Sequence, residues 1–88
     1  MPWKIEISLR AEKSLKRLDS GVRARILRFL KERIASANDP RELARPLKGE
    51  KGGLWRFRVG DYRIICDIRE NQVRILVLTV GHRRDVYR

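Results

Sequence analysis

The spacing of apolar side chains predicts a strand followed by a short helix at the start of the chain. Residues 2–9 alternate between apolar and polar, which is typical of a strand with one wet face. The apolar positions of this strand are Trp3, Ile5, Ile7 and Leu9. From Ala11 to Leu18 the apolar residues stand three or four apart, which favours a helix.

A second helix follows the turn Asp19-Ser20-Gly21 and ends near Ala37, before Asn38-Asp39-Pro40. Its apolar positions form one stripe, made of Val22, Ile26, Phe29, Leu30 and Ile34. Its remaining surface is mostly basic and contains Arg23, Arg25, Arg28, Lys31, Glu32 and Arg33. A basic outer face of this kind is usually a solvated face, and this is our interpretation of it.

An irregular segment and three strands complete the chain. Residues 38–53 are rich in Pro, Gly and charge, with one helical turn predicted near Arg41–Ala44. Strands are predicted over residues 54–59, 62–68 and 72–80, with a tight turn at Gly60-Asp61. The last strand is apolar on both sides, with Leu76, Leu78 and Val80 on one of them, which favours an interior position in the sheet. The order predicts one α+β domain over residues 1–88: an N-terminal strand, a helical hairpin and a three-stranded antiparallel meander, with the helices packed on one face.

Composition limits the cellular compartment, the disulfides and the metal sites that this domain can have. The sequence has neither an apolar run of membrane-spanning length nor a signal peptide. We therefore expect a cytoplasmic protein that has no membrane among its partners. The single cysteine, Cys66, cannot form an internal disulfide and is expected in the core. One cysteine and one histidine argue against a zinc site, and no cofactor motif is found.

The net charge of +11 on 88 residues predicts a polyanionic partner. Alternation places Arg56, Arg58 and Arg63 on one face of the meander, and guanidinium groups match phosphate geometry. Arg83, Arg84 and Arg88 follow the last strand, while Tyr62 and Tyr87 offer rings for base stacking. The alternative is that these arginines only form the wet side of an amphipathic hairpin, since alternation alone explains their spacing.

Three segments together resemble the RelE/ParE superfamily of bacterial and archaeal toxins. They are Arg45-Pro46-Leu47-Lys48-Gly49, the stretch from Leu54 to Ile65 with its Gly60-Asp61-Tyr62-Arg63 turn, and the stretch from Val80 to Tyr87. The resemblance implies the toxin of a type II toxin–antitoxin pair. The RelE branch cuts mRNA in the ribosomal A site by metal-free attack of a ribose 2′-hydroxyl on the adjacent phosphate, whereas the ParE branch poisons DNA gyrase.

The resemblance also implies roles for individual residues. Its catalytic positions fall on Arg58, Arg63, Arg83 and Tyr87. Arg63 and Arg83 would hold the scissile phosphate, and Tyr87 would stack on a base or take the 2′-hydroxyl proton. The expected RNA-binding residues are Arg56, Lys48, Lys51, Arg84 and Arg88.

One departure from the RelE pattern bears on the chemistry. RelE toxins have lysines where this chain has Arg56 and Arg58, and arginine is a poor proton donor because its pKa lies above 12. Either electrostatics alone supports cleavage, or His82 supplies the proton to the leaving oxygen; the sequence leaves both open.

The expected partners are an acidic antitoxin, in a hetero-oligomer, together with the ribosome and mRNA. Two other functions stay open: a gyrase-directed toxin of the same fold, and an RNA-binding module that holds phosphate without cutting.

Overall fold

The structure, a computed structural model, describes residues 3–47 and 53–82. Its elements in chain order are β1 (Lys4–Ile7), α1 (Leu9–Arg17), α2 (Ser20–Arg28), a π-helical segment (Phe29–Ile34), a 3-10 turn (Pro40–Leu43), β2 (Arg45–Pro46), β3 (Leu54–Val59), β4 (Tyr62–Arg69), a second 3-10 turn (Glu70–Gln72) and β5 (Arg74–His82).

The strands form one five-stranded sheet in the order β1-β5-β4-β3-β2. The β1 strand pairs with β5 in parallel, and the other neighbours are antiparallel. The predicted α+β class and the interior position of the last strand are confirmed. The short β2 strand, which pairs Arg45 with Arg56, was not predicted because two residues carry no readable alternation.

The boundary between β1 and α1 lies earlier than the alternation indicated. Ser8 caps α1, since its Oγ accepts a hydrogen bond from the backbone N–H of Ala11 at 3.1 Å. Leu9 is therefore the first helical residue, and 76% of it is exposed. The prediction that Leu9 continues the apolar side of the strand was wrong because the cap at Ser8 ends the extended conformation.

The second helix changes its hydrogen-bond pattern after Arg28. The carboxylate of Asp19 caps its start by accepting from the N–H of Gly21 at 3.2 Å. In the second half, the N–H of Ala35 donates to the carbonyl of Leu30, five residues back, at 2.9 Å. The predicted apolar stripe still buries Ile26, Leu30 and Ile34, but a wider π-helical turn replaces the expected regular helix from Phe29 onward.

Both helices cover the same face of the sheet. The rings of Phe29 and Phe57 meet edge to face, with centroids 6.1 Å apart. Cys66 is buried among the sheet residues of this core, as predicted, and burial raises the pKa of its thiol. Among the described residues, no helix is both long enough and apolar enough to cross a membrane.

A bulge in β5 changes which residues enter the core. Ile65 pairs with Thr79 but Cys66 pairs with Val77, so Leu78 is an extra residue in its strand. This extra residue shifts the alternation, and Val80 becomes buried in the core. The prediction that Val80 shares a face with Leu76 was wrong for that reason.

Candidate functional site

The hairpin of β3 and β4 places its arginines on the face of the sheet opposite the helices. Phe57 points toward the helix layer, so the alternating neighbours Arg56 and Arg58 point away from it. Arg63 lies directly across from Arg58, and Ile65 lies across from Arg56. The structure therefore brings together three of the predicted site residues, and we call Arg56, Arg58 and Arg63 the arginine face.

The side chain of Arg63 is hydrogen-bonded to the turn that joins the two strands. It is only 6% exposed, and its Nη1 donates to the carbonyls of Gly60 at 3.4 Å and Tyr62 at 3.3 Å. Gly60 adopts a left-handed backbone with φ of +59°, which glycine accepts without steric cost. The turn thus fixes the position of one permanently charged guanidinium before any ligand arrives.

Arg58 has a different environment. It is exposed, and it forms no ion pair with any residue in 3–47 or 53–82. Like charges directly opposite in a sheet are destabilising, so the Arg58–Arg63 pair has a cost in the isolated chain. An anion bound between the two side chains would remove this cost.

Arginines also lie opposite each other at Arg45–Arg56 and at Arg69–Arg74, and the latter pair shows one way in which the sheet neutralises such a contact. Arg69 lies across from Arg74 on β4 and β5. Arg69 binds Asp67 with an Nε–Oδ2 distance of 3.1 Å, and Arg74 binds Glu6. Both arginines of that pair have a carboxylate partner. The lack of one at Arg58, within the described part of the chain, favours a ligand-binding interpretation over a purely structural one.

Tyr62 and His82 lie on the helix side of the sheet. Tyr62 pairs with Val59 and His82, and the two rings meet edge to face with centroids 5.6 Å apart. Tyr62 also packs against the core. The prediction that Tyr62 offers a stacking ring beside the arginines was wrong, because the alternation that places Arg63 on one face places Tyr62 on the other.

Several predicted site residues fall outside the residues that the structure describes. They are Lys48, Lys51, Arg83, Arg84, Tyr87 and Arg88. Their assignments stay predictions, as does a role for His82 in proton transfer.

A basic cleft that the sequence pattern does not predict lies between the second helix and the end of β3. This cleft has a volume of about 410 Å³, and Arg25, Arg28, Arg33 and Arg58 line it. The prediction that the three helix arginines form only a solvated face does not account for this convergence. Their convergence depends on the π-helical turn, which has no periodicity that the sequence pattern reveals.

The chain matches known toxins over nearly its whole length. The profile of a family described as the ParE toxin of type II toxin–antitoxin systems, parDE, matches residues 5–87. The chain belongs to this family. It is a toxin of a type II toxin–antitoxin system of the RelE/ParE group.

The similar proteins include toxins named RelG and RelE. The toxin is 27% identical to Toxin RelG of Mycobacterium tuberculosis over 88 residues, covering 100% of this chain and 99% of the relative. It is 29% identical to Toxin RelE of the same organism over 87 residues, covering 99% and 88%. Its fold matches a chain of the toxin–antitoxin complex RelBE2 from M. tuberculosis with a TM-score of 0.86 at 25% identity, covering 97% of this chain and 95% of the other.

Proposed function

We propose that this toxin is a ribosome-dependent endoribonuclease that cuts mRNA in the A site and so inhibits translation. The observation that carries this proposal is the register pair of Arg58 and Arg63 on a face that the helices leave open. Buried Arg63 is held by the turn, and exposed Arg58 is available to a ligand. Similarity to toxins named RelG and RelE along the whole chain supports the same function.

In the proposed reaction, negative charge grows on the phosphate oxygens, which the arginine face can stabilise. The ribose 2′-oxygen forms a bond to phosphorus and loses its proton, while the bond from phosphorus to the 5′-oxygen breaks. The products are a 2′,3′-cyclic phosphate and a 5′-hydroxyl, so the reaction consumes no water: the proton lost by the 2′-hydroxyl is balanced by one gained at the leaving 5′-oxygen. The charge that grows on the non-bridging oxygens would be stabilised by the guanidinium groups of Arg58 and Arg63, with Arg56 holding the adjacent backbone.

The proton that leaves the 2′-hydroxyl and the proton that reaches the 5′-oxygen need separate carriers. Tyr87 would take the 2′-hydroxyl proton, and Arg83 would assist Arg63 at the phosphate. Neighbouring guanidinium groups favour the phenolate form of such a tyrosine. Arg58 cannot readily donate to the leaving oxygen. His82 lies on the helix side of the sheet, so we favour electrostatic stabilisation with a proton from solvent. The substitution His82→Gln should then leave the cleavage rate unchanged.

An acidic antitoxin is the proposed protein partner, in a hetero-oligomer. The similar fold of the M. tuberculosis protein occurs in a toxin–antitoxin complex. The edge strand β1 and the second helix border an apolar groove of about 370 Å³, lined by Trp3, Ile5, Ile7 and Leu27 among others. Leu27 is 40% exposed there. Apolar anchoring predicts a complex that persists in moderate salt, whereas a purely electrostatic complex would dissociate.

Cell-free translation of one defined mRNA tests the endoribonuclease proposal. Primer extension on that mRNA maps any breaks, with and without ribosomes. We expect breaks that appear only when ribosomes and toxin are both present. Intact mRNA and normal translation at saturating toxin would reject the proposal.

Inhibition of DNA gyrase is a second candidate function. It is favoured by the family profile that matches residues 5–87, which describes ParE toxins. A supercoiling assay with purified gyrase separates the two functions: inhibition of supercoiling together with intact mRNA would favour this alternative.

A further inference from the structure

The basic cleft continues the arginine face around the β3–β4 turn. Arg58, whose side chain belongs to the arginine face, also lines the cleft from the end of β3, as does Gly60. The Nη1 atom of Arg25 lies 3.3 Å from the position that a Cβ of Gly60 would occupy. The glycine thus lets an arginine of the second helix come close to the turn, so that the guanidinium of Arg25 lies beside the end of β3.

The π-helical segment explains why the helix arginines converge. Arg28 precedes this segment and Arg33 lies within it, five residues later. In an α-helix with 3.6 residues per turn, residues five apart point in directions about 140° apart. A π-helical turn joins residues five apart, so Arg28 and Arg33 come to the same side. Both line the cleft with Arg25 and Arg58, and among the described residues Glu32 contributes the one carboxylate of the lining.

The composition of the cleft favours a strand of phosphates over an acidic protein segment. Arg25, Arg28 and Arg33 are exposed and form no ion pair with the described residues, so their guanidinium groups can bind phosphate oxygens. Phe29 gives the cleft an aromatic wall, as in grooves that hold single-stranded nucleic acid. The apolar groove suited to a protein segment is a separate one, beside β1.

We propose that this cleft is a second RNA-binding site, which holds backbone phosphates of the same strand that the arginine face engages. The inference rests on the proposed function for the identity of the strand, an mRNA. It adds three residues, Arg25, Arg28 and Arg33, that position RNA without touching the scissile phosphate.

A charge-matched pair of variants tests the site. One variant carries Arg25→Gln, Arg28→Gln and Arg33→Gln. The control carries Arg10→Gln, Lys13→Gln and Arg17→Gln, which removes three exposed positive charges from the other helix. Glutamine keeps helix propensity in both. The probe is a single-stranded 12-nucleotide RNA with 2′-O-methyl groups, which cannot undergo 2′-hydroxyl attack, and its affinity is measured over a range of salt concentrations.

We expect the cleft variant to bind this RNA about tenfold or more weakly. The plot of log affinity against log salt concentration should become less steep, with a slope smaller in magnitude by about 2. Each phosphate contact to a single strand contributes about 0.7 to that slope, and three arginines are replaced. The control should keep the slope of the unmodified toxin. Equal loss in both variants, or loss in neither, would overturn the proposal.

Two further measurements separate this inference from its alternatives. A 12-residue polyglutamate is the probe for an acidic partner, and weaker binding of this peptide by the cleft variant, with RNA binding intact, would reject the RNA assignment. Failure of the unmodified toxin to cut mRNA on ribosomes would instead reject the proposed function. In that case, selective loss of RNA binding in the cleft variant would still identify the cleft as an RNA site.

Discussion

Arg58 and Arg63 lie directly opposite each other on β3 and β4, so two permanently positive side chains share one register position of the sheet. Arg63 is buried against the carbonyls of the turn, whereas Arg58 is exposed. An opposition of like charges weakens the isolated fold and strengthens the binding of an anion. This conflict between stability and binding is the physical basis of the proposed site.

The first prediction follows from that conflict. Replacement of Arg58 by threonine keeps strand propensity and removes the repulsion. We expect the free energy of unfolding of Arg58→Thr to rise by up to about 1 kcal/mol, measured by urea denaturation. Arg69→Thr is the matched control, because it removes an arginine that is paired with Asp67 and should bring no such gain. A loss of stability in Arg58→Thr would show that the opposed charges carry no cost.

The second prediction concerns the turn that holds Arg63. Gly60 has a φ of +59°, and an alanine there must adopt a left-handed conformation that costs about 1–2 kcal/mol. We expect Gly60→Ala to lose stability by about this amount in urea denaturation. Asparagine tolerates the left-handed region, so Gly60→Asn should lose less. Equal losses in both variants would assign the effect to the approach of Arg25 rather than to the backbone.

The third prediction concerns acid stability. The hydrogen bond from Arg74 holds the pKa of the Glu6 carboxyl below its usual range, and Arg41 does the same for Asp39. A lowered folded-state pKa adds stability above the unfolded pKa, near 4, and this stability is lost as pH falls through the folded value. The free energy of unfolding should therefore decline below about pH 4. Glu6→Gln should make that decline shallower; an identical pH profile would exclude Glu6 as a contributor.

The fourth prediction concerns Cys66. Burial raises the pKa of its thiol, so the reactive thiolate is scarce in the folded protein. We expect a thiol reagent at neutral pH to label the native toxin slowly and the urea-unfolded toxin rapidly. Fast, stoichiometric labelling of the native toxin would contradict the buried position and reopen a chemical role for this residue.

The hydrophobic pattern was sufficient to predict the layers of the fold and the arginine face. The alternation from Leu54 to Val59 predicts that Arg56 and Arg58 share one face of the sheet, and the structure has them on that face. Three features could not be predicted, because each depends on a local change of hydrogen bonding that leaves the residue pattern unaltered. They are the helix start after Ser8, the bulge at Leu78 and the π-helical turn from Phe29.

The candidate site could be predicted only in part, for reasons that differ from residue to residue. Tyr62 is next to Arg63 in the chain, but alternation through the turn puts the two side chains on opposite faces, so nearness in sequence gives no stacking position. The basic cleft was missed because Arg28 and Arg33 point in different directions on a regular helix. Resemblance to a toxin family supplied the assignments of Arg83 and Tyr87, which no periodicity in the chain indicates.

The central claim is that the arginine face cuts ribosome-bound mRNA, and the rate of that cut in Arg58→Ala tests it most directly. Arg58 is exposed, so this variant should fold. The control is Arg17→Ala, because it removes one exposed charge from α1, which packs on the opposite side of the sheet. Single-turnover cleavage, followed by primer extension, should slow by about 100-fold or more in Arg58→Ala, as expected when one stabiliser of transition-state charge is removed. Arg17→Ala should cut at the unmodified rate. Equal rates for all three proteins, or no ribosome-dependent cut by any of them, would contradict the account.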